Sequence, residues 1–258
     1  MLLKVFDDKP SLGEAAASQA ATAIRSAIVD RGRARVVAAS AASQFEFLEA
    51  LTATPGITWE QVELFHLDEY IGLPDSSPAS FRKYLRERFI QQVGPLKEEH
   101  WVNGEGDPVD ECKRLGEIIR KNAVDLALVG IGENGHLGFN DPPADFQTQD
   151  PFIVVDLDEQ CRKQQFGEGW FKALSDVPRR AITMSIHQIM KSHLIICSVP
   201  ERRKAEAVRD CLEKSVSNVH PASILQMHEH CICFLDKSSA VLLRSPEANL
   251  KDDHILKV

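Results

Sequence analysis

The chain has 258 residues, of which 43% are hydrophobic, so it can form one large domain or two small ones. We predict a single domain over residues 1–258, because no stretch of the sequence has the length and composition of a linker. A net charge of -8 argues against a nucleic-acid surface, and no apolar run approaches the roughly 18 residues of a membrane helix. The N-terminus lacks a signal-peptide pattern, so the protein is expected to be soluble and cytoplasmic.

Helical and strand patterns alternate along the chain. Ser11 and Glu14 have the spacing of a capping box ahead of an alanine-rich helix, which is predicted to end near Asp30. Further strands are predicted at 35–39, 62–67, 126–129, 152–155, 181–186, 193–197 and 231–235, and further helices at 45–51, 80–90, 110–122, 201–213 and 237–243. This alternation predicts an α/β fold with a mostly parallel sheet and helices on both faces. Ligands of such sheets bind beyond the carboxyl ends of the strands.

The six cysteines show neither disulfide nor zinc-ribbon spacing, so reduced thiols are expected. One dense cluster contains His228, His230, Cys231 and Cys233. A metal site there is the less favoured interpretation, because residues 231–235 have the pattern of a buried strand that uses cysteine as a small apolar residue.

A glycine-rich loop follows the strand at 126–129. Gly130, Gly132 and Gly135 match the dinucleotide-binding fingerprint, which requires these glycines to open a helix. Gly138, Asn140 and the Pro142-Pro143 pair oppose a regular helix, although Asp156 lies at a suitable distance for a ribose contact. The favoured interpretation is an irregular loop that presents His136 and lets a ligand approach backbone amides, including that of Gly135.

Two groups of residues have the chemistry of proton transfer. His136 follows a buried strand and is a candidate general acid or base, which Asn134 and Asp141 either orient or only flank as turn residues. Asp68 and Glu69 end the strand at 62–67, and strand alternation allows only one of them to face a pocket. We assign Asp68 as the candidate base; the alternative is that both acids only form a turn.

An anion site is predicted at the same edge of the sheet. Ser40, Ser43 and the amides of Ala41 and Ala42 lie where a helix begins, and Lys204 lies near the start of another helix. Each of these is more often an N-cap or a solvated lysine when taken alone. Together they form a plausible oxyanion pocket.

Two segments, Leu67–Pro74 and Gly130–Pro142, resemble the signature loops of the glucosamine-6-phosphate deaminase (isomerase) family, and their spacing also matches. The resemblance continues through Val177–Met184, Arg203–Val208 and Pro221–Gln226. It implies a three-layer, Rossmann-like fold shared with 6-phosphogluconolactonases. It also implies conversion of glucosamine 6-phosphate to fructose 6-phosphate and ammonia, with no cofactor and no metal.

By the same resemblance, Asp68 is the base that moves a proton between C2 and C1 of the sugar through an enolamine. His136 catalyses opening of the pyranose ring, assisted by Asn134 and Asp141. Asp141 stands where the family usually has glutamate, which shortens the reach of this carboxylate by one methylene.

The phosphate-binding residues of the family are only partly present. Lys204 matches the family's cation and Ser43 keeps a hydroxyl in the loop at 41–44, which replaces Gly-Gly-Thr-Pro. Gly167 falls near the family's phosphate-binding arginine, and losing a bidentate arginine removes a strong contact. We expect either that a nearby cation replaces this arginine, with Arg162 preferred over Lys163 or Arg179, or that the substrate is a different sugar derivative.

The leading hypothesis is an aldose–ketose isomerase and deaminase of glucosamine 6-phosphate or galactosamine 6-phosphate. The alternatives are a lactone hydrolase like the 6-phosphogluconolactonases and a non-catalytic sugar-phosphate sensor. The expected partner is a small sugar phosphate, with neither nucleic acid nor membrane involved, and a homo-oligomer is compatible with the sequence.

Overall fold

The computed structural model describes residues 1–244 and the backbone of Ile255–Lys257. The strands are β1 (Leu2–Phe6), β2 (Ala34–Ala38), β3 (Val62–His66), β4 (Asp68–Tyr70), β5 (Glu98–His100), β6 (Leu126–Val129), β7 (Phe152–Asp156), β8 (Arg180–Met184), β9 (Leu194–Val199), β10 (Cys231–Asp236) and β11 (Ile255–Lys257). The α-helices are α1 (Lys9–Arg31), α2 (Phe45–Ala53), α3 (Phe81–Leu85), α4 (Gln91–Val93), α5 (Pro108–Ile119), α6 (Glu159–Gly167), α7 (Ile186–Ile189) and α8 (Ala205–Glu213). A π-helical turn, Arg86–Ile90, joins α3 to α4, and short 3-10 turns include Ala42–Gln44, Arg202–Lys204 and Pro221–Met227.

The main sheet has eight strands in the order β11-β1-β10-β9-β6-β2-β3-β5. Every pairing in it is parallel except that of β11, which runs antiparallel to β1. The mostly parallel sheet is therefore confirmed. The short strand β1 was not predicted, and it extends the sheet by pairing with β10.

Two hydrophobic clusters cover the two faces of this sheet. In β2, Val37 belongs to one cluster while Val36 and Ala38 belong to the other, because successive side chains point to opposite faces. Helices α1 and α2 contribute to the second cluster, and α5 and α8 contribute to the first. The three-layer α/β arrangement with helices on both faces is thus confirmed.

Helix α1 begins earlier than the capping-box pattern predicts. The Asp8 side chain accepts a hydrogen bond of 2.9 Å from the backbone amide of Ser11, and Pro10 occupies the first turn. Ser11 is therefore inside the helix, and the prediction that it caps the helix was wrong because Asp8 already supplies the acceptor. The helix ends at Gly32, whose φ of 70° is the left-handed conformation that glycine adopts without strain.

Strands β4, β8 and β7 form a separate antiparallel sheet of three strands. The prediction that 152–155 and 181–186 belong to the parallel sheet was wrong. Their apolar alternation specifies strands but not partners. Strand β8 pairs with β4, which follows β3 in the chain, and β7 pairs with β8. The amide of Met184 also donates to the carbonyl of Leu67 at 2.9 Å. This second sheet positions Asp68 as the first residue of β4.

The predicted helix at 237–243 is absent, and this segment consists of turns. The carboxylate of Asp236 accepts hydrogen bonds from the hydroxyl of Ser238 at 2.9 Å and the amide of Ser239 at 2.6 Å. These bonds close an Asx-type turn that competes with a helix.

The carboxyl ends of the central strands lie at one level. Ala38 at the end of β2 pairs with His66 of β3 and with Leu128 of β6, and Val129 pairs with Cys197 of β9. The segments after β2, β3, β6 and β9 therefore leave the sheet at the same edge. Because β2 sits between β3 and β6, this edge is also a topological switch point, where α/β folds bind ligands.

The six cysteines are free, and Cys231 and Cys233 are buried in β10 as predicted. The neighbouring His228 places its Nε2 atom 2.9 Å from the carbonyl oxygen of Ser192. Within residues 1–244 and 255–257, no helix is long and apolar enough to cross a membrane.

Candidate functional site

A cavity opens at the edge of the sheet where these loops meet. Five segments contribute to its lining: Ser40, Ala41 and Ser43 after β2; Asp68 of β4; Gly130, Gly132 and His136 after β6; Gln164, Gln165 and Glu168 on and after α6; and Lys204 before α8. The aromatic rings of Phe81 and Phe139 complete the wall.

Asp68 and Glu69 separate as strand alternation requires. Asp68 lines the cavity, and its carboxyl group forms no hydrogen bond or ion pair with the residues that the structure describes. Burial, together with the negative charge of Glu69, raises the pKa of Asp68 well above its usual range. A carboxyl group of this kind is a stronger base than an exposed aspartate.

Glu69 is fully buried on the other side of the strand. Its carboxylate accepts hydrogen bonds of 2.9 Å from both the hydroxyl of Ser80 and the amide of Arg82, and it lies 3.5 Å from the Arg82 guanidinium. Glu69 therefore holds the start of α3 against β4, and Asp68 alone of this pair faces the cavity.

The glycine-rich loop is shaped around the imidazole ring of His136. A Cβ atom on Gly132 would lie 2.2 to 2.4 Å from three atoms of that ring, so only glycine fits there. The amide of Gly132 donates to the carbonyl of His136 at 2.9 Å, and Gly135, with φ of 84°, closes the turn by donating to the carbonyl of Gly132 at 3.0 Å. No helix begins between residues 130 and 158, which supports the irregular-loop interpretation over a dinucleotide site.

A hydrogen-bond network behind the cavity fixes His136. Its Nδ1 atom lies 3.1 Å from Oδ1 of Asp141, and its backbone amide donates to the side chain of Asn134 at 3.0 Å. Asn134 also donates to Asp141 at 3.0 Å. Burial raises the pKa of Asp141, but hydrogen bonds from His136, Asn134 and the amide of Asp158 outweigh burial, so the net pKa is lowered. Asp141 thus stays ionised and Nε2 of His136 is left for the cavity.

Lys204 brings a positive charge to the cavity wall. Its side chain is only 2% exposed, and its ammonium group forms no hydrogen bond or ion pair within the described part of the chain. Burial, with a smaller contribution from Arg203, lowers the pKa of Lys204 to about 8. An unpaired ammonium group in this position is suited to bind an anion.

Residues 40–43 form the wall of the cavity after β2. The hydroxyl of Ser40 lies 3.3 Å from Nε2 of His66, and the hydroxyl of Ser43 accepts a 3.1 Å hydrogen bond from the amide group of Gln44. Ala41 lines the main cavity, whereas Ala42 lines only a smaller one beside it.

Several residues predicted to bind the ligand are placed elsewhere. Gly135 packs against Cys211 and does not line the cavity. Arg162 does not line it either, because its guanidinium donates to the carbonyls of Leu174 and Val177 at 2.9 and 3.0 Å. Lys163 pairs with Glu159 at 2.6 Å on the surface, and Arg179 is exposed. None of the three cations replaces the family's arginine.

Helix α6 and the residue that follows it contribute three cavity residues that the sequence did not indicate: Gln164, Gln165 and Glu168. Gln164 donates to Glu168 at 3.2 Å, and the Oε1 atom of Gln165 accepts a 2.7 Å hydrogen bond from the hydroxyl of Tyr70. Gln164 and Glu168 are four residues apart, which places them on one helix face. That spacing was the available signal, but it is common on solvated helices.

Two groups of side chains have the donor types of a metal site. His136, Asp141 and Cys161 bring ligand atoms within 4.8 Å of one another, and so do Glu63, Glu98 and His100. Both carboxylate oxygens of Asp141 already accept hydrogen bonds from Asn134 and Asp158, and those of Glu63 accept from Arg35. We therefore interpret both groups as hydrogen-bonded networks and not as metal sites.

Residues 7–233 match the family of glucosamine-6-phosphate isomerases and 6-phosphogluconolactonases. Glucosamine-6-phosphate deaminase 1 of Bacillus subtilis (strain 168) is 35% identical over 195 residues, which cover 74% of this chain and 79% of that protein. The deaminase of Streptococcus pyogenes serotype M1 is 33% identical over 203 residues, covering 78% and 84%.

Solved structures show the same relationship. A monomeric glucosamine-6-phosphate deaminase superimposes with a TM-score of 0.84 at 30% identity, covering 94% of this chain and all (100%) of that one. The 6-phosphogluconolactonase of Thermotoga maritima has a TM-score of 0.75 at 16% identity over 91% of this chain and 99% of its own, which shows a shared fold. The chain belongs to the glucosamine-6-phosphate isomerase and 6-phosphogluconolactonase family.

Proposed function

We propose that this protein isomerises and deaminates a hexosamine 6-phosphate, releasing the ketose phosphate and ammonia. One observation carries the proposal: an unpartnered, buried carboxyl group (Asp68) and a histidine held by a carboxylate (His136) line the same cavity. Deamination through an enolamine needs a base beside C2 and C1 and a separate group that opens the ring. Deaminase relatives at 35% and 33% identity support the assignment.

His136 is proposed to open the pyranose ring. With Nδ1 facing the Asp141 carboxylate at 3.1 Å, the Nε2 atom can accept the proton of the anomeric hydroxyl and return it to the ring oxygen. Asn134 does not line the cavity, so its proposed part is to hold His136 and Asp141 in place.

Asp68 is proposed to act on the open chain. Its carboxylate takes the C2 proton while O1 gains a proton from solvent, which gives an enolamine, and it returns a proton to C1 while the amino group loses one to solvent, which gives an imine at C2. Water then hydrolyses the imine, so the sugar phosphate and one water become a ketose phosphate and ammonia. A raised pKa suits a carboxyl group that must both accept and return a proton.

Lys204 and the loop at 40–43 are proposed to hold the 6-phosphate. The ammonium group of Lys204 is buried at the cavity and lacks a partner in the described chain, and the hydroxyls of Ser40 and Ser43 lie on the same wall. These groups are neutral or positive donors, as a phosphate requires.

We further infer a cytoplasmic enzyme with a small-molecule substrate and no nucleic-acid partner, in keeping with its net charge of -8. Self-association stays a prediction.

The proposal is tested by incubating the purified protein with glucosamine 6-phosphate, galactosamine 6-phosphate and 6-phosphogluconolactone while ammonia, ketose and acid are followed. Equal amounts of ammonia and ketose from a hexosamine phosphate are expected, and Asp68→Asn abolishes both. Asp156→Asn is the matched control, because the Asp156 side chain is 92% exposed and does not line the cavity. Acid release from the lactone alone identifies a lactonase, and binding without turnover identifies a sensor.

A further inference from the structure

The anion-binding end of the cavity contains a carboxylate as well as a lysine. Glu168 lines the main cavity with Lys204, and it also lines the smaller cavity beside Ala41 and Ala42. The Glu168 side chain is only 5% exposed. A phosphate held by Lys204 and the loop at 40–43 therefore lies beside a negative charge.

Nearby positive charge does not neutralise Glu168 completely. The Arg203 guanidinium lies 3.7 Å from Glu168, but it is closer to Glu133, at 3.0 Å, and to Glu201, at 2.5 Å. Three carboxylates thus share one guanidinium, with Lys9 bound to Glu201 on the far side. One oxygen of Glu168 accepts a hydrogen bond of 3.2 Å from Gln164.

Three kinds of ligand group would interact differently with Lys204 and Glu168 at this end of the cavity. A phosphate dianion would pair with Lys204 but would face the Glu168 carboxylate with no proton between them. A neutral hydroxyl would donate to Glu168 but would leave the buried ammonium of Lys204 unpaired. A phosphate ester with one negative charge satisfies both, because an unprotonated oxygen accepts from Lys204 and the P–OH group donates to Glu168.

We propose that Glu168 makes this cavity select the singly protonated, monoanionic form of the sugar phosphate by accepting a hydrogen bond from its P–OH group. This inference rests on the proposed function, from which the sugar-phosphate ligand is taken. Gln165 supports it, because Tyr70 occupies the Oε1 atom of this side chain and leaves its neutral Nε2 donor for the ligand. An uncharged donor adds no positive charge that would favour a dianion.

The selection has a consequence for pH. A phosphate monoester loses its second proton at about pH 6, so binding above that pH takes up a proton. Burial lowers the pKa of Lys204 to about 8, so this lysine remains mostly charged between pH 6.0 and 7.5. Other charged or titratable groups around this end include Arg203, Glu133 and Glu201. His66 lies against Ser40, and Tyr84 lines the smaller cavity. Asp68 and His136 face the main cavity.

The test uses calorimetric titration of glucosamine 6-phosphate into two variants that do not turn it over, Asp68→Asn and Asp68→Asn/Glu168→Gln. Asp68→Asn also removes the titration of Asp68, and both proteins keep His136 and Lys204, so their difference reports Glu168. Titrations at pH 6.0 and 7.5, each in two buffers of different ionisation enthalpy, give affinity and proton uptake.

For Asp68→Asn, we expect affinity to fall roughly 15-fold between pH 6.0 and 7.5, with nearly one proton taken up at pH 7.5. For the double variant, we expect a fall of less than about threefold, little proton uptake and tighter binding at pH 7.5. Asp68→Asn/Glu159→Gln is the matched control, because Glu159 is an exposed acid on the same helix. This control is expected to behave like Asp68→Asn.

Equal proton uptake in both variants, or weaker binding by the double variant at pH 7.5, overturns the proposal. Unphosphorylated glucosamine that binds as tightly as its phosphate also overturns it. If Glu168→Gln does not fold, Glu168→Ala serves, and the same loss of proton uptake relative to Asp68→Asn is then the supporting result. Absence of ammonia release by the unaltered protein refutes the proposed function alone, because the binding test does not depend on turnover.

Discussion

Gly132→Ala is expected to inactivate the protein through the position of one ring. A Cβ atom at residue 132 would lie 2.2 Å from Nε2, 2.3 Å from Cε1 and 2.4 Å from Cδ2 of His136. Non-bonded carbon atoms normally approach to about 3.5–4.0 Å, so the ring must move by roughly 1 Å or more. The loop cannot easily yield instead, because hydrogen bonds of 2.9 and 3.0 Å tie Gly132 to His136 and Gly135.

The size of the effect follows from the displacement. A misplacement of about 1 Å in a catalytic group can cost about 100-fold in rate, which is about 2.7 kcal/mol in activation free energy. We therefore expect kcat for ammonia release to fall about 100-fold while KM changes little, since Lys204 and the loop at 40–43 are untouched.

The assay is ammonia release at saturating glucosamine 6-phosphate, with a thermal melt to show that the variant is folded. Gly167→Ala is the matched control, because a Cβ at residue 167 meets no atom within 4 Å. This control should keep its activity within about twofold, and the alanine should at most stabilise the end of α6 slightly.

A double-mutant cycle separates ring displacement from a general loss of structure. In a His136→Gln background, Gly132→Ala should add little further loss, because the ring that it displaces is no longer present. Two results would show that displacement of the His136 ring is not the cause. One is a Gly132→Ala variant that retains most of its activity, and the other is a loss of activity that adds in full to the loss caused by His136→Gln.

Four further predictions concern charge. Lys204→Met removes a charge-assisted hydrogen bond of about 1.5–3 kcal/mol, so KM should rise roughly 10- to 100-fold. In the unaltered protein KM should also rise above pH 8, because burial lowers the pKa of Lys204 to about 8; steady-state KM at pH 7–9 checks both. Asp68→Asn should raise Tm at pH 8 but not at pH 4. Burial and Glu69 raise the pKa of Asp68 in the folded protein, so ionising this carboxyl group costs stability as pH rises above its unfolded pKa of 3.8. Asp141→Asn should do the reverse, lowering Tm at pH 7 with a difference that shrinks toward pH 3, because hydrogen bonds overcome burial and lower the pKa of Asp141; melts across pH measure both signs.

The sequence was most informative where a buried strand delivers a polar residue to the edge of the sheet. Asp68 and His136 follow such strands, and Lys204 follows β9 closely, so the parallel arrangement was enough to bring them together. Strand alternation also separated Asp68 from Glu69, because only one of two consecutive side chains can face a given side.

Where a residue's position depends on tertiary pairing, the sequence was less informative. Strands β7 and β8 have the pattern of any buried strand, and only the folded chain shows that β8 pairs with β4 and β7 with β8 in a second sheet. Arg162 looked like a free cation, yet its guanidinium is occupied by carbonyl oxygens of Leu174 and Val177. Glu168 gave only a weak signal, its four-residue spacing from Gln164, because such spacing is common on solvated helices.

The proposed reaction depends most on Asp68, the base that carries the proton between C2 and C1. The direct measurement is NMR of the products formed from glucosamine 6-phosphate that carries deuterium at C2. We expect ketose phosphate with deuterium transferred to C1, formed together with ammonia by the unaltered protein and by Asp156→Asn, and neither product from Asp68→Asn. Ammonia release and C1 labelling that persist in folded Asp68→Asn would contradict this role.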